Sequence, residues 1–290
     1  MTTEPIDSTT TPVADAAPAK KVKKEDSYPV FLLKLFVIVI VFRSFILSPF
    51  NIPSESMMSR LLIGDYLLAS KWSYGYSKYS LPWSVPLIPG QILTSVPERG
   101  DVAIFKAPPS NNVDYIKRVI GLPGDQIQMK AGQLFINGQA IPKVRIANFV
   151  TPVTAGMIAA AKADGRNPCV NPAFELVAAD GSAQCNYPRF RETLPNGVTY
   201  DVLDFGDGLA NDDTEVFVVP EGHLFMMGDS RDNSEDSRVV VDQGGIGFVP
   251  QANLVGKAQV MMFSTDGSSN WFLPWTWFTA ARWDRIGGRI

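Results

Sequence analysis

Residues 101–137, DVAIFKAPPSNNVDYIKRVIGLPGDQIQMKAGQLFIN, contain four short apolar runs that are separated by clusters of Pro, Gly, Asn and Asp. Val, Ile, Tyr and Phe dominate the runs, and these residue types favour a pleated, half-buried strand. Turn-forming residues between such runs mark the ends of strands. Asn137-Gly138, which follows the last run, is a strong signal for a tight hairpin turn. The stretch therefore predicts a series of short β-strands.

The same strand signals recur before and after this stretch, whereas helical periodicity is rare. Further strands are predicted at residues 65–70, 215–219, 223–227 and 259–263, and one short helix at 155–163. Residues 142–215 differ in being loop-rich, in holding both cysteines and in ending in the acid-rich DFGDGLANDDTE. We interpret them as an insertion. The prediction is a mostly-β protein whose core has two parts, 49–141 and 216–265, followed by an aromatic segment at 266–290.

The N-terminal region predicts a tail and a membrane anchor. Residues 1–28 are rich in Thr, Pro, Ala, Lys and Glu, so we predict a disordered tail. Residues 30–47, VFLLKLFVIVIVFRSFIL, would span about 27 Å as a helix, close to a hydrocarbon core of about 30 Å. We predict an anchor over 29–48, since no A-x-A cleavage pattern follows the run; a buried soluble helix is the alternative. The preceding KKVKK favours a cytoplasmic tail and places everything after residue 48 outside.

Composition excludes several classes of function. With 290 residues and a net charge of -3, the chain has no basic stripe, zinc-finger spacing or phosphate-binding loop, which argues against nucleic-acid binding. It has two cysteines, Cys169 and Cys185, and no histidine near them, so they cannot build a zinc site alone. They are either a loop-closing disulfide, as expected in an oxidising compartment, or two free thiols. No metal or organic cofactor is implied.

Residues 49–62, PFNIPSESMMSRLL, offer Ser54 and Ser56 as candidate nucleophiles. A serine hydroxyl needs a nearby base to take its proton. The single histidine, His223, opens an apolar run, so we expect the base to be a Lys, Asp or Glu. Lys117 would share one face of a strand with apolar side chains, and burial there would disfavour its charged form. A lysine in a strand is more often a solvated charge, so this pattern alone leaves the base open.

A third stretch, GDSRDNSEDSR at residues 228–238, packs four acids and two arginines directly after the apolar run HLFMM. One interpretation is a solvated loop. The other is a buried network of opposite charges that holds an active site rigid.

These motifs together resemble the bacterial type I signal peptidases. The resemblance rests on four motifs in a fixed order after an apolar anchor: PSESMM (53–58), RGDVAIFK (99–106), DYIKRVIGLPGD (114–125) and FMMGDSRDNSEDSR (225–238). GFVPQANLVGKA (247–258) extends it, and it covers about residues 30–141 and 216–265. It implies an antiparallel β catalytic core with an inserted second β domain. It also implies a membrane-bound serine endopeptidase that uses a Ser/Lys dyad to remove signal peptides from exported preproteins.

The resemblance assigns a role to each motif residue. Ser56 would be the nucleophile and Lys117 the general base, with the Ser56 N–H and the Ser54 hydroxyl as the oxyanion hole. Ser234 would orient the Lys117 amine. The structural ion pairs around the site would involve Asp229, Arg118, Asp236 and Arg238. Shallow pockets for small substrate side chains, of the A-x-A type, would be lined by Ile52, Pro53, Met57, Asp114, Tyr115 and Ile116.

The resemblance also implies partners and a location. The partners would be preproteins with signal peptides, the phospholipid membrane and the protein-export machinery. The location would be the bacterial inner membrane, with a single pass and the catalytic domain on the periplasmic side. Two aromatic clusters, around residues 72–89 and 271–278, are interpreted as a surface that lies on the bilayer, with core packing as the alternative.

One departure and two rival functions accompany the resemblance. After SMM the family usually has Pro-Thr-Leu, whereas this chain has Ser59-Arg60-Leu61. The first rival is another Ser/Lys hydrolase of related fold, such as a self-cleaving repressor, against which the anchor argues. The second is an anchored β protein of the envelope that has lost activity, against which the presence of Ser56, Lys117 and Ser234 argues.

Overall fold

The computed structural model describes residues 27–270 and 272–290, so the predicted tail and its basic cluster lie almost wholly outside the described residues. The described helices are α1 (Tyr28–Phe45), α2 (Ala155–Asp164) and α3 (Thr276–Thr279). The strands before the predicted insertion are β1 (Leu47–Asn51), β2 (Asp65–Ser70), β3 (Tyr76–Ser77), β4 (Gln91–Ile92), β5 (Val102–Lys106), β6 (Asp114–Gly121), β7 (Gln126–Lys130), β8 (Gln133–Ile136) and β9 (Gln139–Ala140). The remaining strands are β10 (Lys143–Pro152), β11 (Glu175–Val177), β12 (Ala183–Thr193), β13 (Thr199–Leu203), β14 (Phe217–Val218), β15 (His223–Met227), β16 (Val249–Pro250) and β17 (Leu254–Ser264).

Helix α1 is, among the described residues, the one helix long and apolar enough to cross a membrane by its length and composition. It ends at Phe45, because Leu47 already pairs with Ser70 as the first residue of β1. Residues 46–48 of the predicted anchor therefore lie beyond the helix.

A seven-stranded sheet, in the order β1-β2-β17-β5-β6-β15-β16, forms the centre of the fold. Each pair of neighbours in it is antiparallel, and β6 lies between β5 and β15. Buried apolar side chains cover both faces of the central strands. The prediction of a mostly-β, antiparallel fold is confirmed, and the strand expected at 113–120 is found as β6.

Residues between β9 and β14 contain a second sheet, in which β12 pairs with β10, β11 and β13. In sequence this sheet separates β6 from β15, which are neighbours in the central sheet. Cys169 and Cys185 are joined by a disulfide with a Cα–Cα distance of 5.4 Å, and Cys185 lies on β12. A third sheet, in the order β14-β7-β8-β9, contains the predicted hairpin at Asn137-Gly138.

Candidate active site

The turn that carries Ser54 and Ser56 is attached to the sheet at both ends. At one end, the Ile52 N–H donates to the Asp65 carbonyl (2.8 Å) and the Gly64 N–H donates to the Ile52 carbonyl (3.0 Å). At the other end, the side chains of Met57 and Leu61 are completely buried in the core. The Ser230 N–H donates to the Ser56 carbonyl at 3.0 Å. The turn is therefore fixed by the apolar packing of Met57 and Leu61 and by the hydrogen bond from the loop 228–238.

Lys117 meets Ser56 in a direct hydrogen bond. Its Nζ lies 2.6 Å from the Ser56 Oγ, and the two residues are 4% and 7% exposed. Burial lowers the pKa of Lys117 from 10.5 to about 8, although Asp236, Glu235 and Asp229 act in the opposite direction. A lysine with this pKa is neutral in about a tenth of molecules at pH 7 and in about half at pH 8. The pair can therefore transfer a proton from a hydroxyl to an amine.

Ser54 and Ser234 lie next to this pair but differ in their contacts. The Ser54 Oγ is 3.4 Å from the Ser56 Oγ, within reach of any group bound to that serine. The Ser234 Oγ is buried and has no hydrogen-bond partner among the described residues, so the expected bond to Lys117 is not formed. It lies against Gly228, where an added Cβ would collide with the Ser234 side chain and lie 2.5 Å from the Ser56 carbonyl oxygen. The orienting role of Ser234 stays a prediction.

Three buried ion pairs surround the site. Arg118 binds Asp229 with both ends of its guanidinium, at 2.8 and 2.6 Å. Arg238 binds Asp236 in the same way, at 2.9 Å for both contacts. Burial raises the pKa of Asp236, but Arg238, the Gly228 N–H and Lys117 together lower it more, so it stays below its usual value. The loop 228–238 is thus a buried network, as the second interpretation of its sequence proposed.

The third pair, between Arg231 and Glu192, was not predicted. It joins the loop 228–238 to β12 at 2.7 and 2.5 Å, and the Tyr200 hydroxyl donates to the same carboxylate at 2.7 Å. The partners are 39 residues apart, so no local pattern links them. The alternation of charges in RFRET, residues 189–193, resembles an ordinary solvated strand.

A cleft of about 280 Å³ opens over Ser56 and Lys117. Five of the six residues predicted to line substrate pockets line it: Ile52, Pro53, Asp114, Tyr115 and Ile116. Met57 does not, because its side chain is fully buried in the core below the turn. Among residues 27–270 and 272–290, no group of three His, Cys, Asp or Glu side chains is arranged to hold a metal ion.

Comparison with known proteins identifies the family. The family model described as "Signal peptidase, peptidase S26" matches residues 27–263. The signal peptidase I of Rickettsia typhi is 37% identical over 254 residues, covering 85% of this chain and 82% of the relative. The signal peptidase I of Rickettsia canadensis is 38% identical over 236 residues, covering 79% of this chain and 76% of the relative. The chain belongs to the signal peptidase family S26. The predicted family resemblance and the prediction of a peptide-bond hydrolase are confirmed.

A solved structure of a signal peptidase I from Enterococcus faecalis is also similar in sequence. It is 27% identical and covers 56% of this chain and 97% of its own, with a TM-score of 0.27. A TM-score this low carries no argument about the fold.

The position at which this signal peptidase departs from the family pattern is tied to the C-terminal segment. The Arg60 guanidinium donates to the Arg289 carbonyl, and Arg285 donates to the Arg60 carbonyl at 3.0 Å. Arg285 and Arg282 both pair with Asp65, which is completely buried at the start of β2. Arg60 therefore serves as an attachment point for residues 285–289 behind the nucleophile turn.

Two further cleft residues of this signal peptidase, Glu55 and Arg166, were not singled out from the sequence. Glu55 is 2% exposed although it lies between two serines, and Arg166 reaches it from the segment after α2. An acid in a polar motif normally indicates a solvated turn. Its partner is 111 residues away in sequence (166 minus 55), so only the tertiary structure shows the pair.

Proposed function

We propose that the protein is a membrane-anchored serine endopeptidase that removes signal peptides from exported preproteins by a Ser56/Lys117 dyad. The observation that supports this most is the 2.6 Å hydrogen bond between Lys117 Nζ and Ser56 Oγ at the bottom of a cleft. Membership of the signal peptidase family supports the substrate class.

In the proposed reaction, neutral Lys117 takes the Ser56 proton as Oγ attacks the carbonyl carbon of the scissile peptide bond. The tetrahedral intermediate then collapses, the C–N bond breaks, and Lys117 returns the proton to the leaving amine. Water attacks the carbonyl carbon of the resulting acyl-enzyme and gives a proton to Lys117. The second intermediate then collapses, the bond from that carbon to Ser56 Oγ breaks, and Lys117 returns the proton to Oγ, which regenerates the Ser56 hydroxyl. Lys117 thus exchanges one proton in each half of the reaction and ends unchanged.

The proposed oxyanion hole consists of the Ser56 N–H and the Ser54 hydroxyl. Donors placed in this way stabilise negative charge that develops only in the transition state. The proximity of the Ser54 hydroxyl to the Ser56 Oγ supports this role. The ion pairs of Arg118 with Asp229 and of Arg238 with Asp236 hold the surrounding backbone in place.

Cleavage after small residues is the proposed specificity. Ile52, Ile104 and Ile116 line the cleft, and we expect their side chains to leave room only for small side chains beside the scissile bond. A larger side chain would overlap with these buried, closely packed walls.

Anchoring by α1 and contact with the lipid surface are part of the same proposal. Trp72 and Trp83 in the first aromatic cluster are 52% and 85% exposed, and Phe272 and Trp275 in the second are 91% and 64% exposed. Exposed aromatic side chains of this kind favour the interface between membrane and water. The proposed orientation has the N-terminus in the cytoplasm and the catalytic domain on the periplasmic side.

The test is cleavage of a peptide with an Ala-x-Ala site by the detergent-solubilised full chain, with the cut located by mass spectrometry. Ser56→Ala and Lys117→Ala are measured beside it. We expect one cut directly after the second Ala, lost in both variants. The absence of cleavage by folded wild type across several such peptides would contradict the proposed function.

A further inference from the structure

Glu55 is a buried carboxylate in the middle of the nucleophile turn, directly between Ser54 and Ser56. Its Oε2 lies 2.7 Å from Arg166 Nη1 and accepts a hydrogen bond from Asn233 Nδ2 at 3.1 Å. The residue is 2% exposed, and burial raises the pKa of its carboxyl despite these two partners. A buried carboxylate is stable only where it has such partners. The conformation of the turn is therefore coupled to the positions of Arg166 and Asn233.

Arg166 is held rigidly by the segment that carries it. Helix α2 ends at Asp164 and is capped by Gly165 in a left-handed conformation, with φ of 64°. The Arg166 N–H donates back to the Ala161 carbonyl at 2.9 Å. The guanidinium has a second carboxylate partner, Asp164, whose Oδ2 is 3.1 Å from Arg166 Nε.

The disulfide fixes the chain directly after Arg166. The Asn167 side chain accepts from the Cys169 N–H at 2.7 Å, and Cys169 is joined to Cys185 on β12. Arg166 is thus placed by the helix end on one side and by the disulfide on the other. Its side chain is only 22% exposed and forms part of the wall of the cleft over Ser56.

Asn233 binds the same carboxylate oxygen of Glu55 as Arg166 does. It lies in the loop 228–238, next to Ser234, and the same loop supplies the Ser230 N–H that binds the Ser56 carbonyl. The nucleophile turn is therefore fixed at two adjacent residues, at Ser56 through its backbone and at Glu55 through its side chain. Removal of Arg166 would leave the Glu55 carboxylate buried with one neutral partner, and the turn would have to shift to hydrate it.

We propose that Arg166 is a positioning residue which, through Glu55, sets the geometry of the Ser54–Ser56 turn, so that the inserted segment controls turnover. This inference rests on the proposed Ser56/Lys117 dyad. A displacement of about 1 Å at reacting atoms can cost about 10²-fold in rate. The pair contacts neither reacting atom, so it should act on kcat and leave substrate affinity nearly unchanged.

The test compares Arg166→Ala, Arg166→Lys, Glu55→Gln and the double variant Glu55→Gln/Arg166→Ala in the full chain, with an Ala-x-Ala peptide as probe. Arg191→Ala is the matched control, because Arg191 pairs with Asp201 in the same inserted segment and is 53% exposed. We expect Arg166→Ala to lower kcat by about 10- to 100-fold with KM within about twofold of wild type. Arg166→Lys should recover part of kcat, since an ammonium can still reach Glu55, and Arg191→Ala should not change it.

The double variant decides whether the two residues act as one unit. It should be no slower than the slower of its two parents, because the second substitution removes an interaction that is already lost. The inference is overturned if the kcat losses of Glu55→Gln and Arg166→Ala multiply in the double variant. It is also overturned if Arg166→Ala leaves kcat unchanged, whether or not it raises KM. If Arg166→Ala does not fold, the same cycle is run with Arg166→Lys. Failure of wild type to cleave would contradict the proposed function instead.

Discussion

Arg118 and Asp229 form a bidentate, buried ion pair on the face of β6 opposite to Lys117, with contacts of 2.8 and 2.6 Å. The Arg118 guanidinium also donates to the Gly100 carbonyl at 2.8 Å and lies over the Tyr200 ring at 4.3 Å. The adjacent residues Lys117 and Arg118 of β6 thus have different roles. Arg118 links the loop after β15 to the sheet through its ion pair with Asp229, and Lys117 faces the cleft beside Ser56.

Loss of this pair should destabilise the protein strongly. Arg118→Ala leaves Asp229, which is 1% exposed, without its cation, and breaking such a buried pair costs about 3–5 kcal/mol. The free energy of unfolding in urea, followed by tryptophan fluorescence in detergent, measures it. Arg191→Ala, which breaks an exposed pair that the solvent screens, should cost far less than Arg118→Ala and serves as the control. Equal stability of the two variants would show that the Arg118 pair contributes little.

The pH dependence of activity should follow Lys117. Burial lowers its pKa to about 8, and only the neutral amine can accept the Ser56 proton. We expect kcat/KM to rise about tenfold per pH unit at pH values below that pKa and to level off above it, since it reports the free enzyme. A profile that is flat across this range would be incompatible with Lys117 as the base.

The same shift predicts how stability changes with pH. Between pH 8 and 10.5 the unfolded chain binds a proton at Lys117 that the folded chain does not, so the free energy of unfolding should rise with pH in that window. Lys117→Met should remove this contribution. An identical slope in wild type and Lys117→Met would mean that the amine is solvated in the folded protein.

Much of the fold could be predicted because its strands have local signals. The runs at 65–70 and 223–227 coincide with β2 and β15, and 155–163 falls within α2. No strand is predicted over β10 or β12, because the apolar residues of β10 do not alternate strictly with polar ones and Arg189 and Arg191 flank Phe190 in β12. The two strands pair with each other, and Phe149, Cys185 and Tyr187 pack in one apolar cluster.

The residues of the candidate site also fall into two groups, those that local motifs predict and those that only the fold brings together. Ser54, Ser56 and Lys117 were identified from motifs, and the structure brings them together. Glu55 with Arg166 and Arg231 with Glu192 were not identified, because each pair depends on two segments that are distant in sequence and meet only in the fold. The family resemblance places Met57 in a pocket wall, yet its side chain is completely buried in the core.

Ser54→Ala tests the proposed oxyanion hole. Removal of one full oxyanion donor typically lowers kcat by about 10²–10³-fold, with little change in KM, because the charge is present only in the transition state. Steady-state kinetics with the Ala-x-Ala peptide measures both constants. A wild-type kcat in Ser54→Ala would remove this hydroxyl from the hole.

Gly228→Ala tests how closely the loop 228–238 supports the nucleophile. The new Cβ would lie 2.5 Å from the Ser56 carbonyl oxygen, so the turn has to move. We expect kcat to fall by at least about tenfold. Gly156→Ala is the matched control, since its Cβ would come no closer than 3.2 Å, to a side-chain carbon of Ile63. Retention of full activity by Gly228→Ala would show that the loop adapts easily.

The most direct test of the central claim is the kcat of Lys117→Arg beside that of Lys117→Ala. Arginine keeps the charge and much of the length of lysine but cannot be deprotonated in a protein, so it cannot accept the Ser56 proton. If neutral Lys117 is the base, Lys117→Arg should be as inactive as Lys117→Ala while both remain folded. Cleavage by Lys117→Arg at a rate near that of wild type would contradict the account.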